Sequence, residues 1–303
     1  MQLVVGTRGS KLSLVQTNFV LEMLRKVEPS LTFAEKIIKT KGDLIKETPL
    51  PEIGVKGIFV KEIDKALLKN EIDFAVHSMK DVPTKMPEDL EIVAVPKRDS
   101  PYEVLVSKNG KTFNELPDRA KIGTSSLRRR AECLALRKDL IIEPMRGNVD
   151  TRVRKVINGL YDATIAAEIG LERLGLKKYI VERLPLEHFI PTPGQGALAI
   201  VTKKGRVDVI ETLKKVNHEE SKAEIMAERA LLSEIGGGCH VPMGVLARVK
   251  NNQLIVTGTV FSFDGGQKLE AKVIGKISQA EKLGREAAIR LKEAGADKLL
   301  GRE

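Results

Sequence analysis

The chain of 303 residues carries 51 Lys and Arg against 41 Asp and Glu, a net charge of +10 that points to an anionic partner. With 42% hydrophobic and 30% charged residues it reads as an ordinary soluble protein, and two cysteines exclude a disulfide framework. No apolar run approaches the ~20 residues of a membrane span, and 4% aromatics without Trp leave a nucleic-acid binder short of stacking platforms.

Leu3–Val5 reads as a strand running into Gly6-Thr7-Arg8-Gly9-Ser10. Leu12, Val15, Phe19 and Met23 then recur at helical spacing, with Ser10 as the N-cap. Ala34–Ile38 reads as a strand, Gly57–Lys69 as a helix, and Phe74–Val76 as a strand ending at His77-Ser78-Met79-Lys80-Asp81. This alternation predicts a mostly parallel sheet with ligands at the C-terminal ends of its strands. The pattern restarts after Pro96, with strands at Val104–Val106, Lys121–Gly123, Leu140–Ile142 and Ala163–Ala166. Helices are expected at Ser126–Arg137, Val149–Asn158 and Ile169–Leu174. Pro191 to Gly196 breaks regular structure, and Ala197–Val201 reads as a strand returning to the first lobe. The expected architecture is two α/β lobes around a cleft, residues 1–96 with 197–216 and residues 97–196. Residues 217–303 read as a small α+β domain. It has a helix over Ser221–Ile235, a three-stranded antiparallel sheet from Gly244–Val249, Leu254–Phe263 and Lys268–Ile274, and a helix over Ala280–Ala294.

Three motifs suit an anion. GTSSLRRR at 123–130 follows a strand and opens a helix, so hydroxyls, free backbone N–H groups and arginines converge at a helix N-terminus; the plainer alternative is a capped surface helix. RGNVDTR at 146–152 has the same design on what should be an adjacent strand end, and Thr7-Arg8-Gly9-Ser10 is a third example. Between Lys121 and Lys155 ten Lys and Arg face four Asp and Glu, a local net charge of +6.

Asp81 precedes Val82-Pro83, so it is either a turn aspartate or a carboxylate able to stabilise a cation and shuttle protons. Cys239 follows three glycines, which suits an exposed, reactive or modified thiol, with a buried inert thiol as the alternative. Cys133 lies within a helix and reads as structural. His77, His188, His218 and His240 are scattered and neither cysteine has ligand spacing, so no metal is expected. No Walker motif and no Gly-x-Gly-x-x-Gly after the first strand supports a nucleotide. A non-enzymatic anion-binding module and a nucleic-acid binder remain the competing classes, the first leaving Cys239 without a task and the second lacking aromatics.

Taken together, HSMKDVP at 77–83, GTSSLRRR, RGNVDTR, PGQGA at 193–197 and GGGCHVP at 236–242 resemble in order and spacing the porphobilinogen deaminase family, also called hydroxymethylbilane synthases. The similarity runs from Val5 to about the final helix. It implies two periplasmic-binding-protein-like α/β lobes plus a C-terminal α+β domain carrying a cofactor cysteine. It implies a cytoplasmic transferase of haem and porphyrin biosynthesis that joins four porphobilinogen molecules head to tail into hydroxymethylbilane, releasing ammonia. Its dipyrromethane cofactor would be joined by a thioether to Cys239 and act as primer, with Asp81 as the catalytic carboxylate and no metal. Arg8, Ser10, Lys80, Ser126, Arg128, Arg129, Arg146 and Arg152 match positions that bind cofactor and substrate carboxylates, and Thr124, Ser125, Gly147 and Asn148 belong to the same motifs. Arg173 and Gln195 match further contact positions, while Lys56 and Phe59 in VKGIFVKE match a mobile lid and a stacking position. The implied partners are porphobilinogen and the growing linear polypyrrole, with no nucleic acid or membrane, and the expected state is a monomer. Two departures stand out: Val55 where many members have glycine, and Asp150 beside the RGN turn.

Overall fold

The computed structural model describes residues 1–40, 60–238 and 241–302. The described residues divide into two compact units, the first comprising those up to Asp99 together with Gly196–Lys222, the second Ser100–Gln195 and those from Ala223 onward. Among the described residues no helix is long and apolar enough to cross a membrane.

The first unit opens with strand β1 (Gln2–Thr7) and helix α1 (Lys11–Val27). The Ser10 hydroxyl caps α1 by accepting from Ser13 N at 3.2 Å, and Arg25 and Lys26 lie at the helix end where the dipole favours cations. Val20, Leu21 and Leu24 form its buried face. Next come β2 (Thr32–Ile37), α2 (Lys61–Leu68), β3 (Phe74–Ser78) and β4 (Leu90–Ala94). β1 pairs in parallel with both β2 and β3. β4 lies outside the strands read from the sequence, because its five residues show neither strict alternation nor an unbroken buried run.

The second unit starts at β5 (Glu103–Ser107), followed by β6 (Lys121–Gly123), α3 (Leu127–Leu136), β7 (Ile141–Glu143), α4 (Val149–Ile157), β8 (Ala163–Ala167), α5 (Glu168–Arg173) and β9 (Glu182–Arg183). The sheet order is β7-β6-β8-β5-β9. β6 runs parallel to β7 and β8, whereas β5 is antiparallel to β8 and β9. Leu105, Ile122, Cys133, Ile165 and Phe189 fill one side of this sheet, and Val104, Val106, Met145 and Val153 the other.

Strand β10 (Leu198–Lys203) completes the first sheet, antiparallel between β3 and β4, in the order β2-β1-β3-β10-β4. Each five-stranded sheet is therefore mixed, where the alternation of elements suggests mostly parallel pairing. Leu3, Val5, Leu24, Phe74, Val76 and Ile200 make the core here. Helix α6 (Val207–Lys214) follows; it has no side-chain cap, which removes the signal that would announce it in the sequence. Helix α7 (Glu219–Ile235) leads into β11 (Met243–Lys250), β12 (Gln253–Phe261) and β13 (Lys268–Lys276), an antiparallel sheet in sequential order. Helices α8 (Ala280–Glu293) and α9 (Ala296–Leu299) follow. Leu231, Val245, Val256, Leu283 and Leu291 form the core of this part.

Candidate active site

In the second unit the two arginine motifs lie at the ends of β6 and β7, which are parallel neighbours. Polar side chains of the first motif tie the two loops together. The Ser125 hydroxyl donates to Met145 O at 3.0 Å and accepts from Met145 N at 3.1 Å, and Thr124 N donates to Glu143 O at 2.9 Å. Ser126 caps α3, its hydroxyl accepting from Arg129 N at 3.4 Å. Thus Thr124, Ser125 and Ser126 fix the start of α3 beside Arg146.

Arg128 is buried, and its guanidinium is engaged on several sides. It ion-pairs with Glu103 and donates to Glu132 at 2.7 Å and to Ile190 O at 2.8 Å. Arg129 donates through Nε and Nη2 to the same Glu103 carboxylate, at 3.1 and 2.8 Å. Glu103 and Glu132 are fully buried. Burial lifts the Glu132 carboxyl to about 8; Arg128 pulls it down and Glu103 pushes it further up.

The second motif adds charge without an equal answer. The half-buried Arg152 donates through Nε to Gly147 O at 2.8 Å. Desolvation first, then Arg129 and Arg146, holds its guanidinium down to about 10. Arg146 Nη1 is buried with no hydrogen-bond partner among the described residues, while Lys155 donates to Arg146 O at 3.0 Å. Gly147 turns the chain at φ +118, and a Cβ there would lie 2.8 Å from Thr151 Cγ2. Asn148 stands at the N-cap of α4 without a side-chain capping bond. Asp150 sits in the first turn of α4, 3.7 Å from Arg154.

Arg173 ends α5, half-buried. Gln195 is fully buried and donates through Nε2 to Pro101 O at 2.9 Å. The loop before it is held by the buried Glu228 carboxylate, which accepts from Gly194 N at 2.6 Å and Ala247 N at 2.8 Å. Cys133 is buried, and desolvation pushes its thiol well above the ordinary range, as suits a structural residue.

In the first unit Arg8 and Ser10 follow β1 while Lys80 and Asp81 follow β3, its parallel neighbour, so all four occupy the same sheet edge. Asp81 ends a single 3₁₀ turn, Met79–Asp81, anchored by the buried Met79 side chain and by Met79 N donating to Ala197 O at 3.0 Å. Asp81 is half-buried and Lys80 exposed. His77 is buried, and burial, then Arg8, holds its imidazole down to about 4. Cys239, Lys56 and Phe59, with the departure Val55, lie outside the described residues.

Three polar residues at these places are missing from the sequence reading. Gln16 donates to Ser78 Oγ at 2.8 Å beneath the Asp81 turn. Glu103 lies 26 residues before Arg129 and offers no local pattern, whereas Glu132 stands at the (i, i+4) position from Arg128 and is visible as a helical ion pair.

Guanidinium groups gathered at the ends of parallel strands in an α/β protein are an arrangement suited to an anion. The porphobilinogen deaminase dipyromethane cofactor binding domain family matches residues 3–211, and the porphobilinogen deaminase C-terminal domain family matches residues 222–293. The chain is 45% identical to porphobilinogen deaminase of Desulforudis audaxviator over 301 residues, covering 99% of this chain and 97% of that protein. It is 46% identical to a probable porphobilinogen deaminase of Methanothermobacter thermautotrophicus over 286 residues, 94% of this chain and 98% of that one. A periplasmic binding protein of Salmonella typhimurium is similar at a TM-score of 0.40 and 12% identity, over 71% of this chain and 91% of that one. The chain belongs to the porphobilinogen deaminase family, the hydroxymethylbilane synthases of tetrapyrrole biosynthesis, whose cofactor is a dipyrromethane. The residues present fit that group: the unpartnered Arg146 Nη1, with Arg129 and Arg152 near it, calls for a ligand bearing carboxylates.

Proposed function

We propose that this chain condenses four porphobilinogen molecules head to tail into hydroxymethylbilane, with release of ammonia, and that Cys239 holds the dipyrromethane cofactor by a thioether. The observation that carries this reading is the guanidinium charge of Arg146 and Arg152, left without a carboxylate among the described residues beside the Glu103-paired Arg129, which suits the acetate and propionate of each pyrrole ring. When bound, the dipyrromethane supplies the nucleophilic ring carbon to which the first substrate is joined.

The residues of the chain divide the remaining work. Arg129, Arg146 and Arg152 bind carboxylates, while Arg128, clamped by Glu103 and Glu132, braces the helix that presents them. Thr124, Ser125, Ser126, Gly147 and Asn148 shape the two loops, and Arg8, Ser10, Lys80, Arg173, Gln195, Lys56 and Phe59 are the further binding positions. As the C–N bond of the substrate's protonated amine breaks, the nitrogen leaves with the bonding pair as ammonia and the positive charge passes to the substrate's methylene and ring. The Asp81 carboxylate is suited to pair with that charge. Asp81 would also accept the proton that the nucleophilic ring carbon must lose after joining the substrate's methylene. The half-buried position of Asp81 leaves it able to exchange the proton with water.

We read the chain as two lobes, residues 1–96 with 197–216 and residues 97–196, and an α+β domain, 217–303, bearing Cys239; one sheet falling in each range supports this division. We also read it as a cytoplasmic monomer. The decisive assay incubates the protein with porphobilinogen and follows a linear tetrapyrrole that closes to uroporphyrinogen. Intact mass should reveal two linked pyrrole rings on the wild-type chain and none on Cys239→Ser. Absence of the tetrapyrrole, or the same added mass on both chains, would overturn the reading.

A further inference from the structure

We infer that Arg302 is a positioning residue for the loop that bears Cys239. Helix α7 stops at Ile235, and the next three residues, Gly236, Gly237 and Gly238, hold φ values of +74, +83 and +58. A left-handed run of this kind suits only glycine, and it leaves carbonyls of the last helical turn without the partners that another turn would provide. Gly236 N closes one bond, donating to Leu232 O at 2.9 Å. The Ile235 carbonyl is taken by a residue 67 positions away: Arg302 Nη1 donates to it at 2.6 Å. A guanidinium at a helix C-terminus is also favoured by the helix dipole.

The grip extends beyond that bond. A Cβ on Gly237 would collide with Arg302 Nη2 on one side and lie 2.6 Å from Val241 Cγ1 on the other. The glycine run is therefore threaded between a guanidinium and an apolar side chain that follows the cysteine. Arg302 is itself held, its backbone N donating to Asp297 O at 2.9 Å beside α9. The segment after α9 thus fixes the backbone two residues ahead of Cys239. Ordering a reacting group's backbone in advance lowers the entropy to be lost when it reacts. Arg302 holds no acid or base in the chemistry; it fixes the glycine run that leads to Cys239. This inference rests on the reading of Cys239 as the attachment residue.

The test uses full-length chains made in cells unable to form porphobilinogen, so that they begin without cofactor. Wild type, Arg302→Ala, Arg302→Lys, Arg302→Met and Cys239→Ser are mixed with porphobilinogen, and the gain of the dipyrromethane mass is timed. Arg302→Ala should load about tenfold more slowly, the rate equivalent of about 1.4 kcal/mol and of the order of one charged hydrogen bond. Its melting midpoint should fall by no more than a few degrees, at about 2–4 °C for each kcal/mol, and once loaded its kcat and KM should match wild type. Arg302→Lys should recover part of the rate through the Ile235 carbonyl. If Arg302→Ala does not fold, Arg302→Met carries the test, because it keeps the apolar stem and removes the guanidinium that reaches the Ile235 carbonyl. Loading within about twofold of wild type in the folded variant would overturn the role of Arg302. A wild-type chain that gains no mass, or Cys239→Ser gaining the same mass, would overturn the attachment reading itself and this inference with it.

Discussion

Asp81 and His77 stand on the same strand end, four positions apart, yet burial gives them different tasks. Asp81 is half-buried, so its charge can face a ligand at little cost, whereas His77 is buried and its Nε2 has no hydrogen-bond partner among the described residues. Replacing Asp81 by Asn keeps the shape and removes the charge. Asp81→Asn should therefore melt as wild type does and lose roughly 10²–10⁴-fold in porphobilinogen turnover. Turnover close to wild type would remove Asp81 from the mechanism. His77 bears on stability instead. Its folded-state value of about 4 lies below the ordinary 6.5, so between those values the unfolded chain binds the extra proton. The stability His77 contributes is complete above about pH 6.5 and is lost as pH falls through about 4, a difference of about 3 kcal/mol at most. Urea unfolding at pH 7 and pH 4.5 should show wild type losing more stability than His77→Gln. Equal losses in the two chains would show that another group governs this acid range.

At the scale of elements, helix α3 and strand β5 are joined by charge within the protein interior. Glu103, fully buried at the start of β5, faces both Arg128 and Arg129, and Arg128 also reaches Glu132 one turn along its own helix. A buried ion cluster contributes little over an apolar packing of the same volume, but removing one member leaves the others charged and unanswered. Glu103→Gln should consequently cost about 3–5 kcal/mol, read from the shift in the urea midpoint at an unchanged m-value. A change below about 1 kcal/mol would mean that the arginines find other partners. Glu103 also marks where the sequence stops being legible. α1 is announced by its Ser10 cap, and the arginine helix by the hydroxyls before it, because caps and periodicity are local. Which strand receives β5 or β10, and in which direction, depends on partners tens of residues away. Alternation of elements therefore predicts parallel pairing where both sheets are in fact mixed. The cationic character of the site is legible for the same local reason, while the carboxylates that absorb part of it are not.

For the molecule as a whole, the net charge of +10 matters less than where it is left uncompensated. A guanidinium is so strongly basic that holding Arg152 down to about 10 requires both desolvation and neighbouring cations, here Arg129 and Arg146. Folding the cofactor-free chain must bring these like charges together, and that repulsion opposes the folded state. A covalently held group bearing carboxylates reverses the sign: it stays attached when the chain unfolds, but only the folded site brings its carboxylates to the guanidinium groups as charge-assisted partners. The loaded wild-type chain should therefore melt several degrees above cofactor-free Cys239→Ser, at about 2–4 °C for each kcal/mol in a chain of this order of size. Sulfate offers a further discrimination, because it can occupy a helix N-terminus lined with arginines. Raising sulfate at constant ionic strength should lift the melting midpoint of Cys239→Ser strongly and that of the loaded chain weakly, so that the two converge. Calorimetry across a sulfate series checks this directly. Midpoints that stay equal throughout, or that rise in parallel with a constant gap, would mean that the arginine cluster is not where the cofactor's charge is met.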